Sequence, residues 1–165
     1  NFLDGKVDKY TWVGLGSSYL PGEIIAAFLL AQLNSAEDII SQRQKSVKLY
    51  HEFFKEYKNF NDFSIPDDSI TSLSNGHIYY LIFNSLEKRN SFISKCDEEG
   101  MHCTFHYVPL HSSDAGKKYG KISGLMKNTN HVSNGLVRLP MWVGINSELK
   151  AIFEKFRSII ESNFC

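Results

Sequence analysis

Two imidazoles five residues apart, His106 and His111, are the side chains of this 165-residue chain best placed to bind or orient a polar ligand. They close the stretch Thr104-Phe105-His106-Tyr107-Val108-Pro109-Leu110-His111, which reads as a β-strand that runs into a proline and stops. Strand side chains alternate faces, so His106 shares a face with Thr104 and Val108, while Phe105 and Tyr107 point the other way. Pro109 has no N–H to give to a ladder and ends the pairing or confines it to an edge. His111 then falls at the start of Ser112-Ser113-Asp114-Ala115-Gly116, whose small and polar residues suit a surface turn. A rigid strand that delivers polar groups to its mouth is a common way to build a binding site. The alternative is a core strand with two incidental histidines. A metal site made of His102, Cys103 and His106 fails on geometry. On one strand face His102 and His106 would stand roughly 13 Å apart, and one ion cannot take both with metal–nitrogen bonds of about 2 Å.

The elements that must position this stretch follow from periodicity and punctuation. Gly16-Ser17-Ser18-Tyr19-Leu20-Pro21-Gly22 opens a helix that is apolar on almost every side from Glu23 to Leu33, which predicts a piece buried all round. After Asn34-Ser35 the pattern turns amphipathic, with Ala36, Ile39 or Ile40, Arg43, Val47, Tyr50, Phe54 and Tyr57 at helical spacing. This predicts one long helix, or two nearly collinear ones bent near Asn34, ending around Lys58. Residues 59–76, with Pro66-Asp67-Asp68 and Asn75-Gly76, read as loop. His77–Phe83 reads as a strand apolar on both faces. Ser85 caps a helix over Leu86–Glu99 whose inner face is Leu86, Arg89 or Asn90, Ile93 and Cys96, and Gly100 stops it. The Gly- and Lys-rich run Asp114–Lys127 lacks the Gly-x-x-x-x-Gly-Lys-Ser/Thr pattern of a phosphate loop and reads as a mobile surface loop. A short helix at Asn130–Gly135, capped by Thr129 or Asn128, a strand at Leu136–Pro140 and a final helix capped by Ser147 complete the chain. The fold class is α/β or α+β: a small sheet of about three strands packed with helices and preceded by a long helix.

Composition excludes some functions and leaves others open. Eighteen basic residues balance eighteen acidic ones, so no overall field favours nucleic acid or an anionic membrane. The longest apolar run, Ile24–Ala31, is too short to span a bilayer. Cys96, Cys103 and Cys165 make an odd count with no close pair, which a reducing cytoplasm explains most simply. The chain opens on Asn1, which suggests a processed product or a fragment of a longer protein. Residues 1–20 are a polar, turn-rich arm carrying Tyr10 and Trp12, expected to pack on another domain or subunit, and 21–165 form the α/β domain. Two function classes remain: part of a larger enzyme, or a stand-alone, non-enzymatic module that binds a ligand or dimerises.

Two blocks carry a resemblance that separates them. Residues 10–33 (YTWVGLGSSYLPGEIIAAFLLAQL) resemble the post-lysine segment of sugar-nucleotide aminotransferases of the DegT/DnrJ/StrS type. Residues 100–111 (GMHCTFHYVPLH) resemble that family's second-domain strand and histidine loop, and Arg138-Leu139-Pro140-Met141 its late Leu-Pro-Leu element. The Gly-Ser-Ser-Tyr-Leu form is most similar to the dTDP-4-amino-4,6-dideoxygalactose transaminase subgroup. The resemblance implies the C-terminal small domain of a fold-type I, pyridoxal phosphate-dependent homodimer whose large N-terminal domain holds the cofactor lysine. Such enzymes move an amino group, usually from glutamate, to a keto-sugar nucleotide, here expected to be a 4-keto-6-deoxyhexose nucleotide for cell-surface polysaccharide. None of the lysines present sits in the family's catalytic motif, so the isolated chain is expected to be inactive. By the same resemblance Ser18, with Ser17 beside it, stands where relatives carry an asparagine that reaches the cofactor phosphate of the partner subunit. His111 is implied to contact sugar hydroxyls or diphosphate, and His106 to contact substrate or, as a strand residue, to support His111. Tyr10 and Trp12 line the pocket or pack against the large domain, and Arg138 meets a carboxylate or phosphate or forms a surface salt bridge.

Overall fold

The apolar stretch after Gly22 forms helix α1 (Glu23–Asn34), and Ser35 separates it from α2 (Ala36–Phe54) in the computed structural model, which describes residues 19–164. The described residues fall into two units, one ending at Ser35 and the other beginning at Ala36. In the first, α1 is not buried all round as its composition suggests: it buries none of its residues, and Ile24, Ile25, Phe28, Leu30 and Leu33 all stay more than half exposed. Among the described residues no single helix is long and apolar enough to cross a membrane.

The second unit begins with α2, continued by a 3₁₀ turn at Lys55–Tyr57. The second half of the expected stripe is inside: Val47, Tyr50, Phe54 and Tyr57 are all buried, whereas Ala36, Ile39 and Arg43 are only partly buried and Ile40 is exposed. Residues 59–76 are not all loop. They contain strand β1 (Phe63–Ser64) and helix α3 (Asp68–Leu73), which Asp67 caps by accepting from the Ser69 N–H at 2.9 Å. Two residues of strand and six of helix are too short to leave a periodic trace. Strand β2 (Tyr80–Phe83) leads to α4 (Leu86–Glu98), with the Ser85 hydroxyl accepting from the Lys88 N–H at 3.2 Å. The buried side of α4 is Phe92 and Cys96, whereas Leu86 is exposed. The inner stripe is therefore rotated from the Leu86-based reading, because Phe92 supplies far more apolar area than Leu86.

The end of α4 is a Schellman motif. Gly100 adopts φ +72°, the Met101 N–H reaches the Cys96 carbonyl at 2.7 Å, and the Gly100 N–H reaches that of Asp97 at 3.0 Å. Only glycine takes that backbone turn without cost. The turn uses up residues 100–103, so the strand read over 101–108 shrinks to β3 (Thr104–Phe105). Beyond Phe105 the approach to Pro109 and a 3₁₀ turn at Leu110–Ser112 end the pairing. Helix α5 (Asp114–Tyr119), capped by Ser113, stands in the segment expected to be loop. Helix α6 (Lys127–Gly135), preceded by Met126 in a left-handed conformation, runs into strand β4 (Leu136–Arg138). A 3₁₀ turn at Ile145–Ser147 precedes α7 (Leu149–Asn163), whose N-cap is Glu148, not Ser147.

Among the described residues the sheet has four strands, against about three expected, in the order β1-β2-β4-β3, all antiparallel. Leu81 pairs with Val137 and Val137 with Phe105. One residue along, Tyr80 pairs with Arg138 and Arg138 with Thr104. The first set lies on the face covered by helices, where Leu81, Phe83 and Val137 are fully buried. A network of rings fills that layer. Phe54 sits 4.9–6.4 Å, centroid to centroid, from Tyr50, Phe53, Tyr57, Phe63, Tyr79 and Phe156. Phe92 links Phe83 to Phe156 and Phe164. This rigid body presents the edge strand β3 and the histidine stretch at one side.

Candidate functional site

His106 lies just past the last ladder pair and is exposed, with its ring 5.4 Å from that of Tyr107. It lines a cavity of about 530 Å³ that runs along residues 106–110 and is closed by Thr129, Val132, Ser133 and Leu136. Those four occupy i, i+3, i+4 and i+7, so one face of α6, with the first residue of β4, forms the far wall. His111 does not line this cavity, although its neighbour Leu110 does. The 3₁₀ turn carries it instead to α6, where its Nε2 lies 2.7 Å from Asn130 Oδ1. With the amide oxygen as acceptor, the ring donates from Nε2, and the Nδ1 lone pair of the neutral imidazole is left for another donor.

α6 is held in place by two close approaches. The Arg89 guanidinium on α4 donates to the Ser133 carbonyl at 3.2 Å and lies 5.1 Å from the centre of the Phe105 ring. Gly135 is buried against β2, where a Cβ would fall 2.0 Å from the Phe83 carbonyl oxygen. The helix can approach the strand this closely because residue 135 has no side chain. Asn130 and Gly135 were missed as site-forming residues. The i, i+3, i+4, i+7 spacing of Thr129, Val132, Ser133 and Leu136 is the signal that could have found this wall.

Two polar clusters lie elsewhere. His51, buried on α2, has Nδ1 3.2 Å from the Tyr79 hydroxyl and Nε2 2.5 Å from Asp68, which also meets the Lys55 ammonium at 3.0 Å. Lys55 and His51 hold the Asp68 carboxyl below its ordinary value, and burial raises the Tyr79 phenol above its own. This chain ties α3 to α2 beneath the sheet. Cys96 and Cys103 are both free and buried, and hydrogen bonding to Cys103 together with burial pushes the Cys96 thiol up. A buried, protonated thiol is a poor nucleophile. Among the described residues no group of three or more His, Cys, Asp or Glu could hold a metal ion. Arg138 is set by its ladder position on the outer face of β4, and its Nη2 donates to the Phe105 carbonyl at 3.2 Å. Ser17, Ser18, Tyr10 and Trp12 lie outside the described residues.

The small antiparallel sheet packed with helices is a fold that this chain shares with solved aminotransferases. The chain belongs to the DegT/DnrJ/EryC1/StrS aminotransferase family, which it matches over residues 3–157. Among solved structures it resembles Helicobacter pylori PseC, an aminotransferase involved in the biosynthesis of pseudoaminic acid. The identity is 19%, the TM-score 0.75, and the match covers 95% of this chain and 43% of that one. It also resembles S. venezuelae DesV, solved in complex with a ketimine intermediate (18% identity, TM-score 0.74, 93% and 40% covered). A third is Spr1654 from Streptococcus pneumoniae in its PLP-form (23%, 0.66, 85% and 36%). At these identities the likeness is one of fold, and the chain spans about two fifths of the length of the structures it matches.

Proposed function

We infer that this chain is the C-terminal, substrate-side portion of a longer pyridoxal phosphate-dependent sugar aminotransferase. The carrying observation is the family match over residues 3–157 in a chain that covers only 43% of PseC. In this reading the parent enzyme takes an amino group from an amino acid, glutamate being the usual donor. It passes that group to a 4-keto-6-deoxy sugar nucleotide in the cytoplasm, for cell-surface polysaccharide. The dTDP-4-amino-4,6-dideoxygalactose subgroup is the best candidate, on the Gly16-Ser17-Ser18-Tyr19-Leu20 sequence. The parent works as a homodimer, with Ser17 and Ser18 directed to the cofactor phosphate of the partner subunit.

When bound, pyridoxal phosphate supplies an aldehyde and an electron sink, and it requires a lysine amine and an acid facing its pyridine nitrogen. The cavity beside His106 is lined by neither lysine nor carboxylate. That cavity therefore does not fit the cofactor by itself, and in this reading the cofactor's chemistry belongs to the rest of the parent enzyme. What this chain's own residues can do is bind and orient. His111, donating from Nε2 to Asn130, keeps Nδ1 free to accept from a sugar hydroxyl. A diphosphate would instead require the protonated ring. His106 offers a second imidazole at the cavity, and Tyr107 and Leu110 an apolar surface for a deoxysugar or base.

The test is reduction with borohydride after incubation of the chain with pyridoxal phosphate, read by mass spectrometry. No stoichiometric adduct at any lysine is expected. A single lysine modified to completion would overturn the assignment of the Schiff-base function to another part of the enzyme. The reading frame upstream of Asn1 is expected to encode the cofactor domain, and a start codon directly before Asn1 would favour a stand-alone binding module.

A further inference from the structure

A second, larger cavity lies at the opposite end of β3 and β4, and it shares no lining residue with the cavity beside His106. Its volume is about 780 Å³, within the range of small-molecule sites. It sits where β2 and β3 begin, β4 ends, and the first half of α7 passes. The floor is apolar and buried, formed by Met101, Leu139 and Ile152, and Trp142 stands half-exposed at the wall. Arg138 supplies the main charge. Its cross-strand partners Tyr80 and Thr104 fix it on the outer face of the sheet, and Thr104 lines the same groove.

The guanidinium is only partly satisfied. Nη2 donates to the Phe105 carbonyl at 3.2 Å, whereas Nε is shielded from solvent and has no partner. A shielded donor of a permanent cation is costly to leave unpaired, and an anion is what relieves it. The Nε edge of arginine presents two parallel N–H groups, the geometry that matches a planar carboxylate. The other cationic groups are differently committed. The Lys155 ammonium donates to the Glu99 carbonyl, and His77 Nδ1 faces Asn75 Oδ1 at 2.7 Å. His102 stands exposed at the rim with Asp97 3.7 Å away, and Glu148 is the one carboxylate that lines the groove. One unpaired guanidinium N–H, in a groove also lined by one carboxylate, favours a single planar negative charge over a dianion.

We propose that this groove binds a small carboxylate with a flat apolar body, its carboxyl forked on the Nε edge of Arg138 and its body between Trp142 and the Met101–Leu139–Ile152 floor. The site is distinct from the wall assigned to the sugar nucleotide and does not depend on that assignment.

The experiment is a two-dimensional amide NMR titration of the ¹⁵N-labelled chain with phenylacetate, phenylacetamide and phenyl phosphate at constant ionic strength. Phenylacetate is expected to bind saturably in the millimolar range appropriate to so small a ligand. It should shift the amides of Met101, Leu139 and Trp142 and the Nε–H signal of Arg138, leaving residues 106–110 unmoved. The neutral amide should bind at least about tenfold more weakly, and Arg138→Lys, which keeps the charge but loses the fork, should lose about tenfold or more. If Arg138→Lys loses the folded spectrum, Ala151→Trp, at an exposed position on α7 that lines the groove, is the second variant and should block binding. Equal shifts with phenylacetate and phenylacetamide, no saturation, or undiminished binding in Arg138→Lys would overturn the proposal. Tighter binding of phenyl phosphate would overturn the choice of carboxylate.

Discussion

Gly135→Ala tests the packing that builds the histidine site. Gly135 is not among the residues with positive φ, so alanine is conformationally acceptable there. By restricting the unfolded chain, it would by itself stabilise by about 0.4–1 kcal/mol. Sterically it is not acceptable. The new Cβ would lie 2.0 Å from the Phe83 carbonyl oxygen and 3.2 Å from Ile82 Cγ2. The oxygen belongs to β2 in the middle of the sheet, so α6 must retreat by about an ångström. Overpacking of this kind costs about 1–3 kcal/mol, which leaves a net loss of roughly 1–2 kcal/mol and a melting point lower by roughly 2–8 °C for a chain of this size. The same retreat moves Asn130 from His111, whose bond is 2.7 Å long, so the His111 ring resonances should shift as well. Gly22→Ala is the control, since no atom lies within 4 Å of a Cβ there. Calorimetry or circular dichroism gives the first quantity and proton–carbon correlation of the histidine rings the second. A Gly135→Ala melt within about 1 °C of the parent, with unmoved His111 signals, would refute the close approach of α6 to β2.

Phe54→Ala removes the hub of the ring network and should cost about 3–5 kcal/mol, read as a lower urea midpoint at unchanged slope. A loss below about 1 kcal/mol would mean that Phe54 is not at the centre of the core. Asp68→Asn tests the tie between α3 and α2. Because the folded pKa of Asp68 lies below its ordinary value of about 3.9, its contribution is complete above that value and disappears as pH falls through the folded pKa. The parent should therefore exceed Asp68→Asn in urea midpoint at pH about 6, and the gap should close towards pH about 2. A gap that is independent of pH would assign the effect to something other than this carboxylate.

Sequence legibility followed the length of the signal. The stripe Val47–Tyr50–Phe54–Tyr57 and the caps at Ser85 and Gly100 were readable because periodicity and capping chemistry are local. Strand β1 and helix α3 were not, since two and six residues carry no period and are stabilised by pairing with Phe83 and Ile82 and by the Asp68–His51 tie. The histidine stretch was half legible. Proline at 109 marks the end of the expected strand, but the Schellman turn over residues 100–103 delays its start and the ladder already stops at Phe105, so β3 is a short edge. Alternation therefore cannot place His106 and His111. A 3₁₀ turn places His111, and its partner Asn130 lies nineteen residues away, beyond the reach of any local pattern.

The uncovered surface bears on how that site could work. Tyr107, Leu110, Tyr119 and Leu125 are each more than three-quarters exposed, and all lie in the segment that carries the histidines. The same segment follows a two-residue edge strand, so few backbone bonds tie it to the sheet. Large aromatic and aliphatic side chains left in water on a lightly tethered segment gain free energy when another surface covers them, by about 25 cal/mol per Å² of apolar area. In the proposed parent enzyme that surface would be supplied by the rest of the protein. Covering Tyr107 and Leu110 would also close the cavity beside His106 and strengthen the His111–Asn130 bond by excluding water. Substrate binding and domain closure would then be coupled through residues 105–125. Substitutions at Tyr119 and Leu125, which do not line that cavity, should weaken sugar-nucleotide binding in the assembled enzyme while leaving the melting point of the isolated chain unchanged.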